Sequence, residues 1–301
     1  MRSKIVWLLL CLIWGSTWAF IKLGLEDLPP FTFAGIRFVI ASIILYAFIT
    51  ARKIRLPRTR KDWTLLAVTG VLSFTLNYGL VFWGEQHVSS GLAALLQATI
   101  PVFGLVIAHF YLPDEPMTPA KIFGVVLGVA GVGVIFSDQL SVAGPKALAG
   151  SVGLVIGSAC AAYANVLVKS RGGKMEPATL AFGQMIFGLV PLLLIGLATE
   201  GNPLDFRWSG MAVVSLFYLA IVGTVFAFLM YYWLVQHMDV TNTMLIALVT
   251  PIIAVALGIV VLDEKLNWRM VIGGAMIISG IAIIVLKRRA MRGSAKEVPT
   301  G

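Results

Sequence analysis

Ten apolar stretches, each close to the length a helix needs to cross a bilayer, succeed one another along this chain with almost no polar sequence between them. A hydrocarbon core about 30 Å thick takes about 20 apolar residues per helical crossing. Stretches of that kind lie at about 5–23, 31–50, 64–83, 90–112, 120–137, 150–169, 179–198, 211–234, 242–262 and 270–287. Only 12% of the residues are charged and 59% are hydrophobic, whereas a soluble domain carries about 25% charged residues. The lipid bilayer is therefore the solvent expected for most of the chain, and the expected fold class is an all-α membrane protein of ten transmembrane helices. The longest connection, the basic stretch Ala51 to Asp62, leaves no soluble domain large enough for a catalytic core. The first stretch lacks a small-residue cleavage site and carries Trp14, Trp18 and Lys22, which reads as a retained helix and not as a removed signal peptide.

A net charge of +9 suggests nucleic acid until the basic residues are placed. With the N-terminus inside, Arg2, Lys4, Arg52, Lys53, Arg55, Arg58, Arg60, Lys61, Lys121, Lys169, Arg171, Lys174, Lys287, Arg288, Arg289, Arg292 and Lys296 all fall on one side. Only Lys146, Arg207, Lys265 and Arg269 fall on the other. That bias expects both termini in the cytoplasm and 288–301 as a basic cytoplasmic tail; it sets orientation and calls for no nucleic-acid partner. Cys11 and Cys160 sit in apolar runs with no CxxC or metal-ligand spacing, so buried free thiols are expected and no metal.

The chain also repeats itself. At an offset of 147, Lys22 falls on Lys169, Pro30 on Pro177, Thr32 on Thr179 and Ala34 on Ala181. At 150, Trp83 falls on Trp233, Gln86-His87 on Gln236-His237, Leu95 on Leu245 and Pro101 on Pro251. At 149, Asp114-Glu115 meets Asp263-Glu264, Gly124 meets Gly273 and Gly131 meets Gly280. Residues 1–137 and 150–287 thus read as two repeats of five helices. Five is odd, so the second repeat enters the membrane from the opposite side and the repeats are expected to be inverted. Inverted repeats allow two related access states around a site near the midplane.

Trp14-Gly15-Ser16, Lys22, Pro101 and Pro251 in the fourth helix of each half, and the acidic pairs that follow them together resemble the drug/metabolite transporter superfamily, specifically its EamA family. The resemblance covers nearly the whole chain. It implies a ten-helix, five-plus-five layout and export of amino acids or other small metabolites. The chain departs from its own pattern at Ala161-Ala162, where the position equivalent to Trp14-Gly15 keeps small residues but no tryptophan.

Polar groups in hydrocarbon need a partner or a cavity, so those at mid-helix mark a pathway. All 14 carboxylates fall in loops or at helix ends, which leaves no evident intramembrane acid to relay protons. Neutral groups lie mid-helix instead: Trp14, Ser16, Thr17, Trp18, Asn77, Tyr78, Gln97 and Thr99 in the first half. Tyr163, Asn165, Thr224, Phe228, Tyr231, Thr243 and Thr250 lie there in the second. Amides and hydroxyls can bond both ends of a zwitterion while Trp and Tyr stack on its side chain; the same groups can equally bond packed helices to one another. Pro101 and Pro251 each remove a backbone hydrogen bond, consistent with a hinge or with a fixed bend. Gly124, Gly128, Gly131, Gly273, Gly274 and Gly280 form small faces for close helix approach. Lys22 can snorkel outward, and Arg37, about 10 Å into its helix at 1.5 Å per residue, faces either a solute carboxylate or a helix-end carbonyl.

The expected partners are a small-molecule solute and lipid, with no cofactor. A small-metabolite exporter leads; uptake or exchange of a sugar or nucleotide-linked sugar follows, and would favour a strongly basic cavity that the sequence does not display. A membrane enzyme lacks any mid-membrane His, Asp or Glu grouping, so no catalytic residue is assigned. The charge asymmetry yields one test of orientation: in intact cells, a single cysteine at Ser89 should react with an impermeant thiol reagent and one at Thr59 should not. The opposite pattern would invert the topology.

Overall fold

The computed structural model describes residues 2–112, 117–138, 144–172, 175–238 and 245–296. Among them the secondary structure is entirely helical, because hydrocarbon offers backbone groups no partner and a helix satisfies them within one segment. The helices are α1 (Arg2–Gly24), α2 (Pro30–Ala51), α3 (Arg60–Gly70, the π-helical Val71–Asn77 and Tyr78–Glu85), α4 (Ser90–Gln97 and Ile100–Tyr111) and α5 (Pro119–Asp138). Then come α6 (Gly144–Arg171), α7 (Pro177–Thr199), α8 (Gly210–Phe217, the π-helical Tyr218–Phe226 and Ala227–His237), α9 (Ile246–Leu262) and α10 (Trp268–Lys296). By length and composition 9 of the described helices can cross a membrane, and Ile246–Leu262 is a shorter apolar helix. Leu8, Leu12, Ile43, Val126, Leu194 and Val260 are large, apolar and exposed, as lipid-facing side chains are.

Local sequence explains where these helices begin. Proline stands at the first turn of α2 and α7, where its missing N–H costs nothing. Thr59, Ser89 and Ser209 accept backbone N–H bonds as N-caps of α3, α4 and α8. Two ends differ from the sequence expectation. Helix α6 starts at Gly144, ahead of the expected 150, and α10 runs on through Lys296, into the segment expected to be a tail. Its continuation, rich in Arg, Lys and Ala, favours helix even beyond the hydrocarbon. The acidic pair Asp114-Glu115 and Thr243 lie outside the described residues.

Packing pairs the helices in a regular way. Helix α5 packs on α10, α2 on α7, α1 on both α8 and α9, and α6 on both α3 and α4. The α5–α10 contact brings backbones together: a Cβ added at Gly131 would stand 2.5 Å from the Gly273 carbonyl oxygen, and one at Gly280 would stand 2.6 Å from that of Gly124. Gly274 belongs to another contact, against Leu95 of α4.

Carboxylates do more than cap the loops they were assigned to. Glu264, just after α9, accepts from the N–H groups of Ser90 (2.6 Å) and Gly91 (3.1 Å) at the start of α4. Glu200, after α7, accepts from Phe31 (2.8 Å) and Thr32 (2.7 Å) at the start of α2. Each places a negative charge on the positive end of a helix in the other half. Asp27 accepts from Ser209 and pairs with Arg207 at 3.3 Å. Lys22 is not snorkelled to the surface: its ammonium donates to the carbonyls of Glu85 (2.6 Å) and Val88 (2.7 Å) at the end of α3. Glu85 is likewise at a helix end, yet fully buried. Cys11 is a buried free thiol, and Cys160 is free but only half-buried. Replacing Glu264 with Ala leaves two N–H donors unmet and is expected to cost about 1–3 kcal/mol. Thermal unfolding in detergent should show a lowered midpoint; an unchanged midpoint would remove the carboxylate from the set of inter-half ties.

Candidate functional site

Between the helices lies a cavity of about 600 Å³. Its walls come from α1, α2, α3, α4, α6, α8, α9 and α10, so both halves of the chain build it. Helical spacing selects the lining: Trp14, Thr17, Trp18 and Ile21 follow one stripe of α1, and Ala162, Asn165, Val166 and Lys169 one stripe of α6. Ile21, Val81 and Ala94 form its buried inner reach, whereas Asn165 and Lys169, both exposed, mark where it opens, toward the bundle end from which α1 enters.

Of the residues expected at the site, Trp14, Thr17, Trp18, Arg37, Asn77, Tyr78, Gln97, Asn165, Tyr231, Thr250, Pro101 and Pro251 line this cavity. Ser16, Tyr163 and Phe228 do not. Ser16 is on the far side of α1 from Trp14 and Trp18, bonded to the Tyr218 hydroxyl at 2.6 Å and donating to the Ile13 carbonyl at 2.9 Å. Tyr163 is rotated off the α6 stripe and shares a 3.0 Å hydrogen bond with Tyr111. Phe228 stands behind Trp14, edge to face at 6.3 Å, while Tyr231 lies against the same indole at 5.5 Å.

The polar groups divide by whether the protein already satisfies them. Thr17 donates to the Trp14 carbonyl, Thr250 to that of Ile246, Thr99 to that of Leu96, and Gln97 Nε2 to Leu154 of α6 at 3.0 Å. The first three close within their own helix, and the Gln97 bond ties α4 to α6. Asn77 is different: it is buried, and its Oδ1 has no hydrogen-bond partner among the described residues. It terminates the π-helical stretch of α3, and Gly157 of α6 leaves the room it occupies, since a Cβ there would stand 3.1 Å from that oxygen.

Arg37 is 3% exposed, and its partner within the protein is a hydroxyl, not a helix-end carbonyl. Its Nε donates to Thr224 Oγ1 at 3.1 Å, its guanidinium carbon lies 5.3 Å and 5.4 Å from the Phe38 and Tyr78 ring centres, and its Nη1 has no partner. Thr224 is held in place by donating to the Leu219 carbonyl, five residues back, at 2.8 Å, a bond suited to the π-helical stretch of α8. Lys169 was missed, sorted with the charges that set orientation, although the 147-residue offset pairs it with Lys22. With Arg37 it makes the charged part of the wall wholly cationic; no Asp or Glu lines the cavity among the described residues. No group of three or more His, Cys, Asp or Glu side chains fit to hold a metal occurs among those residues either.

The prolines differ in setting. Helix α4 breaks at Ala98–Thr99, with Pro101 opening its second piece, whereas Pro251 lies inside the continuous α9.

A model of the EamA-like transporter family matches residues 2–137 and 148–286. The chain is 28% identical over 273 residues to the uncharacterized transporter YoaV of Bacillus subtilis, covering 90% of this chain and 92% of that one. It is 29% identical to the uncharacterized inner membrane transporter YedA of Escherichia coli K12, over 92% and 88% of the two chains. Protein PagO of Salmonella typhimurium is 25% identical over 84% of this chain and 83% of its own. A solved crystal structure aligns with a TM-score of 0.66 at 19% identity, over 95% of this chain and 97% of that one, and shares the fold.

The geometry separates the two asparagines, since Asn77 is buried with an unmet acceptor and Asn165 is exposed toward the opening. Asn77→Ala should weaken solute binding about tenfold to hundredfold, the equivalent of about 1–3 kcal/mol. Asn165→Ala should cost less, and equilibrium binding to the purified variants measures both. An Asn77→Ala variant that binds like the parent would reduce this amide to a packing group.

Proposed function

Because the chain belongs to the EamA-like transporter family, we propose that it exports small amphipathic metabolites, amino acids among them, across the inner membrane by alternating access. The observation that carries this reading is the cavity itself: built by both halves, faced with aromatic rings, and bordered by Arg37 and Asn77, each of which keeps one buried polar atom without a partner among the described residues. A relative that is an inner membrane transporter supports the location, and the basic-residue bias supports cytoplasmic termini.

The packing supports inverted repeats over 1–137 and 150–287. Exchanging each helix for its counterpart five positions on turns the α1–α9 contact into α6–α4, and α1–α8 into α6–α3, which are both present. The π-helical stretches also correspond, Val71 falling on Tyr218 at the offset of 147. On this reading the state described is open to the cytoplasm. Its outer side is shut by Glu264 on α4, Glu200 on α2 and the Asp27–Arg207 pair. Pro101 and Pro251 act as hinges, with Pro101 the stronger because its helix is already broken there.

Uptake or exchange of a sugar or nucleotide-linked sugar is the second reading, and one observation favours it: Arg37 and Lys169 both stand in the wall. Counterflow in liposomes holding the purified protein tests the two together, with amino acids and other small amphipathic metabolites in one series and sugars and nucleotide sugars in the other. Gradient-free exchange of the first series is expected, slowed by Pro101→Ala more than by Pro251→Ala. Exchange confined to the second series would replace the first reading with the second, and no exchange of any solute would overturn the transport assignment.

A further inference from the structure

Arg37 is a buried cation without a counter-ion. No carboxylate lies within ion-pair distance of it among the described residues; its one hydrogen-bonded partner is the neutral Thr224 hydroxyl, and its remaining neighbours include the rings of Phe38, Tyr78 and Phe82. Ring faces attract a guanidinium but do not neutralise it. Buried charges are ordinarily paired, because removing an ion from water is costly and only an opposite charge held by hydrogen bonds offsets it. The guanidinium borders the cavity, and so does Gly223, where a Cβ would stand 2.7 Å from the Thr17 methyl and 3.8 Å from Nη2. Nη1 is the donor left over.

Resting on the reading of this cavity as a solute site, we propose that the solute is an organic anion without a compensating ammonium, bound with its acidic group on the Arg37 guanidinium. A carboxylate matches the planar fork of a guanidinium, and an apolar body then meets Trp14, Trp18 and Tyr231. Asn77 Oδ1 accepts a hydrogen bond from a hydroxyl on the same solute. An α-amino acid satisfies Arg37 equally well, but it brings a second cation beside Arg37 into a wall that holds no carboxylate among its described residues. A 2-hydroxy acid presents the same acid, the same donor and the same body without that charge.

Three probes sharing one aromatic body separate the possibilities: 3-phenyllactate as the anion, phenylalanine as the zwitterion and 2-phenylethylamine as the cation. Titration calorimetry on the purified full-length protein at neutral pH is expected to rank them in that order, with the anion at least tenfold tighter than the zwitterion. Arg37→Gln should abolish the difference and Arg37→Lys should keep the order at lower affinity. If Arg37→Gln does not fold, the ranking on the unaltered protein still decides. Phenylalanine binding as tightly as phenyllactate, or more tightly, overturns the anionic assignment while leaving the cavity as a solute site. An intact Arg37→Gln variant that keeps the anion preference overturns the role of Arg37. Failure of all three to bind, while amino acids exchange in counterflow, overturns the assignment and keeps the transport reading; failure of every solute removes both.

Discussion

Every backbone N–H and C=O that this chain carries into the hydrocarbon must find its partner without water, and the departures from regular helix are the places where other groups supply one. Where α4 is interrupted at Ala98–Thr99, the Thr99 hydroxyl and the Ser158 hydroxyl of α6 both donate to the Leu96 carbonyl. Where α3 and α8 widen to π-helix, Thr75 donates to the Gly188 carbonyl of α7 and Thr224 to that of Leu219. The carbonyls at the end of α3 receive the Lys22 ammonium, and the N–H groups opening α2 and α4 are met by Glu200 and Glu264. Each irregularity is thus tied to a group from another helix or to a hydroxyl of its own.

Those ties organise the cavity. The α4 break carries Gln97, Ala98 and Pro101 past its wall, the α3 π-stretch ends on Asn77, and the α8 π-stretch presents Gly223 to the cavity and Thr224 to Arg37. A continuous α-helix at any of the three would rotate the following residues by a large part of a turn and move these groups off the wall. The irregular backbone and the polar lining are one feature. The small-residue contact of α5 with α10 stands apart from it, and there close approach serves packing.

Electrostatics give the cavity a direction as well as a shape. At the closed side Glu200 and Glu264 are matched to backbone N–H groups and Asp27 to Arg207, while the described charged groups of the wall are Arg37 and Lys169. At an interior dielectric far below that of water, a buried charge such as that of Arg37 acts on its surroundings more strongly than a hydroxyl or an amide does.

Much of this was legible in the residues alone. Hydropathy located the helices because the cost of polar chain in hydrocarbon leaves a long apolar run for each crossing, and the stripes of α1 and α6 follow from helical period. Twelve of the residues read as site or hinge line the cavity, but Ser16, Tyr163 and Phe228 do not, because mid-helix depth says nothing about which face of a helix a neighbour will cover. The amino-acid sequence by itself determined that the chain is a bundle of membrane helices, since composition alone decides which solvent a segment prefers. Only the tertiary structure decided that Gln97 is spent on Leu154 while Asn77 and Arg37 remain unmet, and that Lys169 joins them in one wall. Gln97 and Arg37 find their partners more than fifty residues away, brought near by packing that no local pattern encodes.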